Sequence, residues 1–98
     1  MNTLSVLVKA TVNTTDMNSF HSYIKGLMQL YEKHAVKKVS QYEVREVFIG
    51  TELPTFISVY SFKDRNTFDA VYQSDEYRRQ LLPLRQKAFS ALEVYICG

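Results

Sequence analysis

Tryptophan is absent, cysteine occurs once, and the chain has only three glycines and two prolines. The lone thiol, Cys97, excludes an intramolecular disulfide framework and a cysteine-based zinc site, and it fits a reducing compartment. So little Gly and Pro argues against a fibrous, low-complexity or disordered chain. A charge excess is also lacking: twelve Lys and Arg stand against ten Asp and Glu, a formal net charge of +2. That is too small for a dedicated nucleic-acid binder. Basic and acidic residues alternate, as in Lys63-Asp64-Arg65 and Glu76-Tyr77-Arg78-Arg79, which describes a mixed solvated surface and not the positive face of an RNA-binding sheet. No apolar run approaches the roughly 18 residues of a membrane span, and Met1-Asn2-Thr3-Leu4 has no basic leader pattern. The expectation is a cytoplasmic protein without a membrane partner.

Motifs of common chemistry are missing too. There is no G-x-x-x-x-G-K, G-x-G-x-x-G or G-x-S-x-G, so nucleotide and serine-hydrolase chemistry lapse. His21 and His34 have no i, i+4 partner and no nearby cysteine, so no metal and no cofactor are expected. Cys97 has no sequence-adjacent base and is a poor nucleophile.

What is present, in 98 residues, is one domain's worth of periodic hydrophobicity. Leu4, Val6, Val8 and Ala10 alternate with Ser5, Leu7, Lys9 and Thr11, the period of a strand. Asn13 to Asp16 supply helix-capping oxygens, and Met17, Phe20, Ile24, Leu27, Met28 and Tyr31 follow at helical spacing, ending near His34. Val39 to Ile49 alternates again up to a polar break at Gly50-Thr51-Glu52-Leu53-Pro54. Thr55 to Phe62 resumes as a strand, so strands two and three form an antiparallel hairpin. Asp64 and Asn66 can cap a second helix carrying Phe68, Val71 and Tyr72, and a further capping signal stands at Ser74-Asp75-Glu76. Pro83 lacks an N–H and crowds the carbonyl of Arg79, so a kink near Leu82 or a restart at Pro83 is expected. Leu92, Val94 and Ile96 alternate with Glu93, Tyr95 and Cys97 in a last strand.

The order β-α-β-β-α-β describes an α+β fold: a four-stranded antiparallel sheet with two helices on one face. The other face is then uncovered and should be polar. Yet Leu7, Val47, Ile49, Ile57 and Val59 put apolar residues on both parities of the first three strands. At about 25 cal/mol per Å², wetting on the order of 400 Å² of apolar surface forfeits roughly 10 kcal/mol, comparable with the whole stability of a small domain. A homodimer pairing two sheets face to face is the simplest cover.

The candidate ligand cluster is Tyr72, Ser74, Glu76, Tyr77 and Arg85. Arg85 follows Tyr77 by two helical turns and can hold a carboxylate or enolate in bidentate fashion. Taken as structure alone, Ser74 is an N-cap, Tyr77 a core-edge ring and Arg85 a solvated cation packed over its methylenes. Seven Tyr and six Phe are spread over the chain, and Tyr42, Tyr60 and Tyr95 fall on three strands where they can line a pocket or an interface.

The run Phe56-Ile-Ser-Val-Tyr-Ser-Phe62, then Ala70-Val-Tyr-Gln-Ser-Asp-Glu-Tyr77, Leu84-Arg85 and Glu93-Val-Tyr-Ile-Cys-Gly98 resembles the DUF1330 family of the dimeric α/β-barrel superfamily. The likeness covers residues 55–98. In the first half, Val39-Ser40-Gln41 stands where the family commonly has a Gly-Gly pair. The resemblance implies a ferredoxin-like domain that dimerises through its sheets, and it leaves the reaction open, since relatives range from cofactor-free monooxygenases to proteins of no assigned activity. By motif position it singles out Ser74, Tyr77 and Arg85 as site residues; in a ligand-binding reading, Tyr60 and Phe62 would contribute walls. Two functional expectations follow. In one, the homodimer binds or converts a small aromatic or carboxylated molecule. In the other, it is a structural or regulatory dimer with no ligand.

Overall fold

The computed structural model describes residues 3–98. Strand β1 (Leu4–Val12) leads into helix α1 (Met17–Lys33), β2 (Lys37–Glu43), β3 (Phe56–Phe62), α2 (Arg65–Tyr72), a π-helical turn (Tyr77–Leu81), α3 (Leu82–Ala88) and β4 (Phe89–Cys97). The sheet order is β2-β3-β1-β4, with every neighbouring pair antiparallel. Long β1 sits at the centre because its even-numbered residues are the most hydrophobic alternating set. Val6 and Ala10 are fully buried, facing the helices with Tyr60 and Phe62 of β3.

Side-chain carboxylates start both α1 and α2. Asp16 accepts from the Ser19 N–H and hydroxyl, and Asp64 accepts from the N–H and hydroxyl of Thr67, so each occupies orphan N–H groups of a first turn. At the far end of α1 the Val36 N–H reaches Tyr31 O and the Ala35 N–H reaches Glu32 O. This six-to-one closure puts Ala35 at φ 57°, where glycine is the usual residue. Gly26, midway along α1, permits a close approach: a Cβ there would lie 2.5 Å from Leu81 Cδ2.

The second helical region is in pieces: α2 ends at Tyr72, and a π turn precedes the restart at Leu82, one residue before Pro83. Ser74 Oγ accepts from the Tyr77 N–H and donates to Val71 O, joining α2 to the next segment. The Leu82 N–H then reaches back five residues to Tyr77 O, and this widened turn absorbs the hydrogen bond that Pro83 cannot donate.

Strand β2 is shorter than its alternation suggests. It runs Lys37–Glu43 and not Val39–Ile49, and the chain leaves the sheet at Val44, whose N–H bonds Thr55 O. Residues 44–55 form a loop clasped by Thr55, which donates its N–H to Ala10 O and accepts from Val12 N–H at its hydroxyl. Phe48 and Ile49 therefore project into solvent, 94% and 87% exposed. Within β2 the ladder slips between Lys38 and Ser40, leaving Val39 unmatched, which is a β-bulge. At the other end β4 begins at Phe89, ahead of the Leu92 start expected from alternation.

The face turned from the helices carries half-buried Leu7, Ile57 and Val59 with the exposed rings of Tyr42 and Tyr95. Lys9 crosses it to pair with Glu52 and Glu93 at 2.9 and 3.3 Å.

Candidate functional site

Between the helices and the sheet lies a row of tyrosines. The hydroxyls of Tyr23 on α1 and Tyr77 on the π turn are 2.8 Å apart. Those of Tyr31 on α1 and Tyr72 at the end of α2 form a second, shorter pair. The Tyr31 ring also meets Tyr60 of β3 edge-on at 5.0 Å. Arg85 Nη1 donates to the Tyr77 hydroxyl at 3.0 Å, with its guanidinium carbon 5.8 Å from that ring's centroid. One cation thus anchors one end of the row.

Burial pushes the phenols of Tyr23, Tyr31, Tyr60 and Tyr72 above the ordinary tyrosine range. For Tyr23 and Tyr72 the neighbouring phenols raise it further. These groups stay neutral at physiological pH and offer hydrogen bonds, not a base.

A cavity of about 30 Å³, room for a water or two, lies among Val8, Tyr23, Tyr31, Tyr60, Tyr72 and Leu92. A cleft of about 210 Å³ opens beside it between α1 and β2, walled by Phe20, Met28 and Phe56, with Lys38 and Gln41 on its β2 side. Cleft and cavity share Ile24, Phe56 and Tyr60 as walls, so the cleft is the approach to the tyrosines. Lys38 Nζ donates to Gln41 Oε1 at 2.8 Å. Among the described residues these walls include no carboxylate, imidazole or thiol, and no cluster of three metal-ligating side chains occurs.

Of the residues singled out from sequence, Tyr60 lines both spaces. Tyr77 and Arg85 stand together at the tyrosine row, outside the cavity wall. Ser74 is occupied at the helix joint. Phe62 is fully buried and packs edge-on against Tyr31 and Phe68. Tyr42 and Tyr95 face away from the helices. Lys38, Gln41, Tyr23 and Tyr31 escaped the sequence reading. As site residues they were missed because Tyr31 counted only in the α1 hydrophobic stripe, Tyr23 was not part of that set, and the two β2 residues share a face only because of the bulge.

This topology, four antiparallel strands with both crossover helices on one side, defines the ferredoxin-like class. Within it, residues 5–97 match the model of the family described as Domain of unknown function (DUF1330), and the chain belongs to that family. Among solved structures it is similar to a protein of unknown function from Rhodopseudomonas palustris, with 16% identity over 97% of this chain and 80% of that one and a TM-score of 0.87. A putative antibiotic biosynthesis monooxygenase from Bacteroides thetaiotaomicron gives 12%, 99%, 89% and 0.68. A dimeric ferredoxin-like protein of unknown function from Thermobifida fusca gives 11%, 98%, 90% and 0.61. No curated protein matches the chain.

Proposed function

We propose that the protein is a homodimer that binds or converts a small organic molecule in the cleft between α1 and the sheet, using neither metal nor nucleotide. The observation that carries the reading is the continuity of the aromatic cleft with the tyrosine cavity through Ile24, Phe56 and Tyr60. An apolar wall with a few convergent polar groups is the usual make-up of a ligand site. Neutral tyrosine hydroxyls orient the molecule. Arg85 holds Tyr77, and through it the Tyr23 hydroxyl, in place. The description of one fold neighbour as a monooxygenase is in keeping with conversion of such a molecule. The apolar residues on the open sheet face support dimerisation, with Leu7, Ile57 and Val59 as the buried centre of the contact.

The test is a ligand-detected NMR screen of one-ring compounds against wild type and Ile24→Trp, whose added ring fills the cleft. Hits that compete for one site and vanish in the variant support the reading; hits that bind both proteins equally overturn it. Sedimentation at micromolar concentration tests the dimer, which Val59→Glu should dissociate.

A second reading, a dimer without a ligand, draws on the same hydroxyls: Tyr23, Tyr77, Tyr31 and Tyr72 already satisfy one another. A screen without hits favours it.

A further inference from the structure

Nine large hydrophobic side chains are exposed among the described residues, and six of them fall on two segments: Phe48, Ile49 and Leu53 on the loop 44–55, and Val94, Tyr95 and Ile96 on β4. The two segments lie toward opposite ends of the sheet. The loop stands at the end where Thr55 bonds Ala10, and β4 runs to the other, where Cys97 pairs with Ser5. Glu52 ties the loop over the open face through Lys9, which also holds Glu93 of β4. The two edges of the sheet differ as well. An exposed edge strand invites pairing unless lysine, proline or a bulge blunts it. On β2 stand Lys37, Lys38 and the bulge at Val39. On β4 the run Ala91 to Cys97 carries none of these, and among the described residues no backbone bond reaches its outer side.

We infer that the loop is an arm exchanged between two copies of this chain: Phe48 and Ile49 of each grip the end of the partner's β4, covering the partner's Tyr95 on the open face and the partner's Val94 and the partner's Ile96 around the unblunted edge. This rests on the homodimer reading. A two-fold axis lying between the sheets and across the strands carries the loop end of one sheet over the far end of the other, and it makes each contact twice. The alternation of Val44 to Ile49, unused in its own sheet, then runs along that edge as an added strand. Six extended residues reach about 20 Å, the length of the equal run Leu92 to Cys97. Val94 is also a wall of the tyrosine cavity, so each copy closes its partner's cavity on the β4 side.

The test combines sedimentation with isotope-filtered NMR on dimers mixed from labelled and unlabelled copies, for wild type and Phe48→Ala. Wild type should be a dimer at micromolar concentration, with cross-copy signals from the Phe48 ring to the Val94 and Ile96 methyls. Phe48→Ala should weaken association at least about tenfold, as loss of a buried aromatic anchor does. It should leave the circular dichroism of the subunit unchanged, because that ring is 94% exposed in a single copy. A dimer whose cross-copy signals join Leu7, Ile57 and Val59, with none from Phe48 to β4 and no weakening in Phe48→Ala, overturns the arm and leaves the dimer standing. A monomer overturns both. A mass that keeps growing with concentration means arms linked head to tail, and it overturns the two-fold exchange.

Discussion

The two halves of the chain build the same strand-helix-strand unit differently. In the first, β1 reaches β2 through one uninterrupted helix of 17 residues. In the second, β3 reaches β4 through α2, a π turn and α3. The interruption has a use. On a regular helix, residues five positions apart diverge by about 140°, so Tyr72 and Tyr77 would not share a face. Across the joint at Ser74 their rings are 4.8 Å apart, and each meets a phenol of α1. A straight helix supplies two hydroxyls two turns apart, and a broken one bends to match them.

Alkali gives the largest contrast between the matched tyrosines and free ones. Burial raises the folded pKa of Tyr23, Tyr31 and Tyr72, so the stability they contribute is intact below the unfolded value near 10 and lost as pH rises beyond it. Each adds a slope of about 1.4 kcal/mol per pH unit above that value. Tyrosinate absorbance and circular dichroism recorded together should change in one cooperative step for these three. Their ionisation with the fold intact would contradict the burial. Next in size, Tyr77→Phe strands the Tyr23 hydroxyl and removes the Arg85 contact, at a cost of about 1–3 kcal/mol in urea unfolding. The pair variant Tyr31→Phe with Tyr72→Phe removes both partners together, and it should cost less than the sum of the two single changes.

Smaller effects separate the two helical regions. Pro83→Ala restores a backbone donor in the broken half and should shift stability by no more than about 1 kcal/mol, since the π turn has already absorbed the loss. A gain of several kcal/mol would show that the proline, not the tyrosine pairing, sustains the break. In the unbroken half, Ala35→Gly relieves a left-handed alanine and should raise stability by about 0.5–1 kcal/mol. The helix caps behave alike in acid. Hydrogen bonds from Ser19 and Thr67 hold Asp16 and Asp64 below the ordinary carboxylate range, so their contribution is present above the unfolded pKa near 4 and lost as pH falls through the folded value. Asp16→Asn and Asp64→Asn should flatten that acid limb.

Element order, the cap residues and the helical break were legible in the sequence because each is local: alternation, a carboxylate before a stripe, a proline inside one. The end of β2 was not. Val44 to Ile49 keeps an alternating pattern, but β3 begins only at Phe56 and Thr55 ties the chain to β1, so those residues have no strand to pair with. The tyrosine pairs join residues 54 and 41 positions apart, a relation that no window of periodicity contains. Of the expected site, the nearness of Tyr77 and Arg85 was suggested by a spacing of about two turns, but the contact itself is made across the π turn, which periodicity does not contain. Lys38 was not suggested, because Lys38 and Gln41 have opposite parity and strict alternation would send them to opposite faces.

That parity exchange rests on one unmatched residue, Val39. Deleting it would leave Lys38, Ser40 and Gln41 consecutive and opposite Tyr60, Val59 and Ser58, so the lysine and the glutamine would stay together, whereas drawing Val39 into the ladder would swing one of them to the far side of the layer. Sidedness at the rim of the molecule is therefore a matter of register and not of residue type alone: a strand one residue shorter here would hold the same arrangement with no irregularity at all.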